Sequence, residues 1–416
     1  IFSFFATAIL AVYLWKINEP TYVALSWLGA GFVLFEFGVR GSRQHARFQG
    51  YLLLSLAVGA AIAINFGHHP SVDPAAEPNQ PALWRIILPA VAILSYVYWR
   101  IWIENALISD STEEKYIGVF TSIVATFLTA LLLWYEVNTA FVALTWIAVG
   151  QGLFELGRRL KQTVLRANGY ALFAAALIAL LAVNLYKLYV PGDAAAIADW
   201  PVVSIAAVAF YYLTWNLLRD QRHVLLRPEE SRHATAPSIA GTAVLAILAW
   251  KELDAIYVAP AWTLMALALT EVGLLTRQAR IQNQGHVLAL FAFGRLFVAN
   301  FIAPGEVVVP VFTSEWDLSH RLLTVLPVIG AFYYLRLQSL ESSAPGSPRQ
   351  MIAQLYSWGA AILLLALVRF ELGRAFAVIG MAVVAVGLLI AGRWLHDAHF
   401  RIQSYALAVL IFARSW

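Results

Sequence analysis

The sequence predicts an all-α polytopic transmembrane protein, with about 15–16 spans in four parallel four-helix repeats. Three observations carry that reading: an excess of apolar residues, the length of the apolar runs, and a set of landmark residues that returns at a nearly constant interval. The chain is 61% hydrophobic and only 12% charged, with a mean hydropathy of +0.71. A soluble domain is about 45–50% apolar and about 25% charged, so this composition leaves too little polar surface to face water. Runs such as Tyr116 to Tyr135 have the roughly 20 apolar residues that cross about 30 Å of hydrocarbon as a helix. A membrane β-barrel is excluded because its strands alternate apolar and polar residues, and only helices remain to satisfy the backbone in lipid. Cysteine is absent, which removes disulfides, thiolate metal sites and cysteine nucleophiles.

The repeat is carried by side chains that chance would not align. Trp15, Trp134 and Trp250 are each followed twelve residues later by Trp27, Trp146 and Trp262, at intervals of 119 and 116 residues. In the same register stand Glu36, Glu155 and Glu271, then Gly38, Gly157, Gly273 and Gly392, then Gly50, Gly169, Gly285 and Ser404, then Asn65, Asn184 and Asn300. Residues 15–65 and 134–184 share 19 identities in 51 positions. The predicted units are 1–110, 111–232, 233–347 and an incomplete 348–416.

Within the second unit the spans fall at about 116–135, 138–158, 166–187 and 200–218. Length variation sits in the loop before the fourth helix, as expected where loops tolerate change and packed helices do not. Four helices per unit is an even number, so successive units enter the bilayer in the same direction and form parallel repeats. The first span has 14 residues before Trp15, and the chain stops at Trp416, short of where the next Asn of the repeat would stand. Both ends therefore read as cuts through a span, as in a piece of a longer protein or an incompletely known sequence.

Charge placement gives the orientation. The turns between second and third helices, with the ends of the fourth helices and the linkers, hold 19 of the 28 lysines and arginines, among them Arg43, Lys161, Arg277 and Arg401. The opposite loops hold Asp73, Glu77, Asp193, Asp199, Glu306, Glu315 and Asp317. By the positive-inside rule the basic turns are expected in the cytoplasm. Trp15, Trp84, Trp134, Trp200, Trp250 and Trp316 then mark the outer interface, where indole rings are favoured.

A Gly and Arg closing one span, a short basic turn, and Arg-x-x-Gly-Tyr opening the next (Gly157, Arg158, Arg159, Arg166, Gly169, Tyr170) resemble large bacterial multi-pass inner-membrane proteins with repeated spans, grouped as a domain of unknown function. The resemblance covers nearly the whole chain. It implies a bacterial inner-membrane location and a repeated helical architecture, and transfers no catalytic residue.

Several polar residues stand out against the apolar background. Glu36, Glu155 and Glu271 lie near the basic end of the second helices. Arg40 and Arg159 follow four residues on, on the same helix face, so the acids read as interfacial ion pairs or as a proton or cation relay. Glu271 has Leu275 in that place and needs another partner. Asn65, Asn184 and Asn300 close third helices and can bond across to neighbours. Arg295 and Arg414 share a position where the first two copies have Ala60 and Ala179, and Arg369 and Arg374 lie near the same end. A guanidinium inside a span is costly and must find a partner: either a carboxylate such as Glu252 or Glu371, or an anion such as a lipid phosphate. His68 and His69 are adjacent, and His396 and His399 flank Asp397. A metal needs three or four converging ligands, so these read as loop and turn residues.

No phosphate loop, nucleophile elbow or zinc-helix motif is present, and no cofactor, nucleic-acid or metal site is expected. Two function classes remain. The first is a non-enzymatic structural or accessory subunit packing against other membrane subunits, supported by small-residue faces such as Ala174, Ala175, Ala176 and Ala179. The second is a transporter or lipid-handling protein with an anion or lipid site near Arg295 and Arg414. Membrane lipids are partners in both.

Overall fold

The computed structural model of the chain describes residues 2–66, 83–102, 112–187, 199–222, 230, 233–302, 319–341 and 348–415. These hold fifteen α-helices and no strand: α1 (Phe2–Ile17), α2 (Pro20–Arg40), α3 (Gln44–Ala60), α4 (Trp84–Trp102), α5 (Thr112–Glu136), α6 (Val142–Arg159), α7 (Thr163–Ala179), α8 (Asp199–Arg222), α9 (Ala236–Glu252), α10 (Val258–Leu275), α11 (Ala279–Phe297), α12 (His320–Glu341), α13 (Pro348–Glu371), α14 (Gly373–Trp394) and α15 (Ala398–Ser415). The helices therefore follow the repeat as four, four, four and three.

Twelve helices among the described residues are long and apolar enough to cross a membrane. That is fewer than the 15–16 spans expected, for a reason of length. α1 and α15 are shorter apolar helices, and α9 has 17 residues, which at about 1.5 Å per residue falls short of about 30 Å. The chain divides into two compact units, residues 1–209 and 210–416.

The same local devices build each repeat. The second helix ends in a turn whose amide five residues after Gly38, Gly157, Gly273 or Gly392 donates back to that glycine's carbonyl, at 2.8, 2.7, 2.8 and 3.0 Å. Ser42, Lys161, Arg277 and His396 precede those amides with φ between 52° and 56°. This is the Schellman close of a helix, here with non-glycine residues in the left-handed conformation. It reverses the chain so that second and third helices pack as a hairpin.

The hairpin is tight enough to bring backbones together. A Cβ at Gly50 would lie 2.9 Å from the Gly31 carbonyl oxygen, and one at Gly169 would lie 2.7 Å from that of Gly150. Without a hydrophobic drive between helices in lipid, such close approach supplies dispersion contact. The fourth copy solves the same contact differently, since Ser404 Oγ donates to the Ala385 carbonyl at 2.7 Å.

At the other end of the helices the tryptophans pair, stacked in the first two repeats and tilted in the third. Ring centroids lie 5.6 Å apart for Trp15 and Trp27, 5.8 Å for Trp134 and Trp146, and 5.6 Å for Trp250 and Trp262. The second indole N–H of each pair donates to a first-helix carbonyl, Ala11, Ala130 or Ala246, at 2.9, 3.0 and 2.9 Å. α3, α7 and α11 each end in a π-helical turn, Ala61–Phe66, Leu180–Leu185 and Val298–Ile302, and the repeated asparagines sit in these turns.

Candidate functional site

Polar groups gather at the two ends of the helices, and the repeat makes them comparable. At the basic-turn end, Glu36 accepts from Arg40 at 3.1 Å, Arg100 at 3.2 Å and the Tyr96 hydroxyl at 2.9 Å. Arg40 is 81% exposed while Arg100 is 14% exposed, so the pair with Arg100 is the one shielded from solvent. Glu155 pairs with Arg158 and with Arg159. Glu271, which lacks a following arginine, accepts from Tyr334 at 2.6 Å, and Gln338 donates to the same hydroxyl at 3.0 Å. Three equivalent acids thus have three different sets of partners.

A further ion pair joins the first repeat to the second. Arg47 Nε lies 2.7 Å from Glu114 Oε1, with the side chains 11% and 1% exposed. Arg336 pairs with Asp397 and stands 4.3 Å over the Phe400 ring. His399, partly buried, meets the Gln354 amide with its ring at 2.9 Å, and its backbone N–H donates to Asp397. No group of three metal-ligating residues converges among the described residues.

At the tryptophan end, Asn65 donates to the Thr21 carbonyl and Asn184 to that of Ala140, both crossing to the second helix or its leading turn. Asn300 departs from the pattern. It donates to Leu296 within its own helix, while its side-chain oxygen accepts from Thr324 and its carbonyl from Arg321. Glu371, expected as a partner of Arg295, accepts from Ser319 at 2.7 Å and lies 3.9 Å from Arg321.

Arg295 instead places its guanidinium 4.5 Å from the centroid of Trp250. Its Nε is buried and has no hydrogen-bond partner among the described residues. A cation over an indole face gains about 0.5–2 kcal/mol, but the ring accepts no conventional N–H bond. Arg369 is half-buried and occupies the repeat position of Trp250. The side chains of Arg374 and Arg414 lie outside the described residues, as do Asp73, Glu77, Asp193, Glu306, Glu315, Asp317, His68, His69 and Trp316.

One constellation escaped the reading of the sequence. Side-chain amides on the third helix donate to serines on the first in all four repeats: Gln49 to Ser3 at 2.8 Å, and Asn168 to Ser122, Gln284 to Ser238 and Gln403 to Ser357 at 2.9 Å each. The signal was present, because these serines keep the same 119, 116 and 119 residue intervals. Each lies twelve residues before Trp15, Trp134, Trp250 or Arg369, outside the stretch whose identities define the repeat. The rungs bind first to third helices inside each repeat.

Comparison with family models, with curated proteins and with solved structures finds no match.

Proposed function

We propose that the chain is a non-enzymatic structural or accessory subunit of a membrane complex, set in a bacterial inner membrane with its basic turns in the cytoplasm. The observation that carries this is the fourfold rung between first and third helices. Polar side chains are spent on bonding the repeats internally, and the outward faces are left apolar. Along α14, Phe376, Ile379, Val383, Val386 and Ile390 are each more than half exposed, a surface suited to lipid or to another subunit's helix. The Gly157 to Tyr170 pattern, which resembles repeated bacterial multi-pass proteins, supports the same location.

Photo-crosslinking from position 383 in intact membranes, followed by copolymer extraction, tests the proposal. A stoichiometric membrane-protein adduct is expected. Exclusively lipid adducts, together with solute or lipid movement by the pure protein in liposomes, would overturn it.

A second reading, a transporter or lipid-handling protein with an anion site near Arg295, Arg369 and Arg414, is favoured by one observation: the buried Arg295 Nε lacks a hydrogen-bond acceptor among the described residues.

A further inference from the structure

In the first repeat a cleft of about 370 Å³ opens between α1 and α3, lined by apolar side chains from Thr7 to Trp15 and from Leu52 to Leu56, with Trp27 at its end. Six of its nine lining residues recur unchanged in the third repeat as Thr242, Ala243, Ala246, Trp250, Trp262 and Leu288. The other three are also apolar there. Both walls are pinned alike in the two repeats, by the indole bond to Ala11 or Ala246 and by the rung from Gln49 or Gln284.

What differs is the cap. Leu56 lines the first cleft, and its counterpart is Phe291. Four residues on, one helical turn toward the tryptophan end and on the same face, the first repeat has Ala60 and the third has Arg295. The guanidinium therefore stands over Trp250, beside the residues that match the lining of the first repeat's cleft. The tryptophan pair beside it is the kind of ring favoured near headgroups, and guanidinium and phosphate form charge-assisted bonds that the indole cannot supply.

The geometry points to a phospholipid site in the third repeat, with the phosphate diester held by Arg295 and one acyl chain lying between α9 and α11. The inference deepens the second reading above only in naming this site. It holds whether the lipid is a fixed component or cargo.

Native mass spectrometry of the whole chain in dodecyl maltoside tests it, with dioleoylphosphatidylglycerol, dioleoylglycerol and inorganic phosphate as separate probes. Arg295→Ala restores the residue of the first two repeats and is expected to fold; thermal unfolding of the lipid-free protein checks that. Wild type should bind the phosphatidylglycerol about tenfold more tightly than the diacylglycerol, one charge-assisted contact's worth, and Arg295→Ala should abolish that preference. Arg295→Lys should retain part of it, since a point charge remains. Equal phosphatidylglycerol affinity in wild type and a folded Arg295→Ala overturns the site. So does protection by inorganic phosphate that matches the lipid, because the anion would then need no acyl chain. Tight binding without lipid movement in liposomes supports the site while refuting lipid handling, which keeps the two claims separable.

Discussion

At the tryptophan end of residues 1–209, the stacked pairs Trp15 with Trp27 and Trp134 with Trp146 belong to repeats that carry Ala60 and Ala179; in residues 210–416, the pair Trp250 with Trp262 carries Arg295, and the fourth copy has Arg369 and Met381 where tryptophans would stand. The scaffold beneath is unchanged, with the same turns and the same serine rungs. The difference shows that the rungs and glycine contacts build the repeat, while the tryptophan end is free to acquire charge. The buried pair of Arg47 and Glu114 has the same residue types one repeat on, Arg166 and Glu230, and loses them two repeats on, where Gln282 and Arg349 stand.

The largest effect should come from breaking that first-half pair. Glu114→Ala leaves a guanidinium buried without its carboxylate and should cost about 3–5 kcal/mol, read by denaturant or thermal unfolding in detergent. A loss no greater than that of a surface substitution would mean that the junction is not held by this pair. Next in size is the glycine contact. Gly169→Val, forced against the Gly150 carbonyl, should cost about 1–3 kcal/mol by overpacking. Ser404→Ala in the fourth copy keeps the Cβ and removes only a hydrogen bond, about 0.5–1.5 kcal/mol. Reversed magnitudes would show that the two hairpins are not equivalent.

Ser238→Ala removes one rung. It should cost about 0.6 kcal/mol, and at most about 1.7, the mean and maximum for interhelical hydrogen bonds in membranes, and the same substitution at Ser122 should give a similar value. Smallest is Glu271→Gln, which keeps an acceptor for Tyr334 and should change stability by less than about 0.5 kcal/mol. A larger loss would indicate that the charge of Glu271 matters, as a relay would require.

Helix number, repeat period and hairpin positions were legible because landmark side chains mark them: tryptophan at one end, glycine at the close contact, arginine at the turn. The turn conformation was not, since Ser42, Lys161, Arg277 and His396 stand where composition would lead one to look for glycine. Arg40 and Arg159 were found beside their acids because helical spacing alone sets those pairs. The partners of Glu36 and Glu271 on the fourth helix, Tyr96, Arg100 and Tyr334, lie across a loop whose length varies between copies, so spacing could not reach them. For Arg295 the sequence offers Glu252 or Glu371, or an anion, because these are the usual partners of a buried cation. The structure gave it an aromatic face, and Glu371 went to Ser319 and Arg321.

The even number of helices per repeat predicts one direction through the bilayer for all four, and cysteine accessibility measures it directly in this cysteine-free chain. Ser42→Cys, Lys161→Cys, Arg277→Cys and His396→Cys, made one at a time, place a thiol at the same exposed turn of each repeat. In intact cells all four should resist a membrane-impermeant maleimide and react only after permeabilisation. Labelling of the second and fourth positions from outside, with the first and third protected, would contradict parallel repeats.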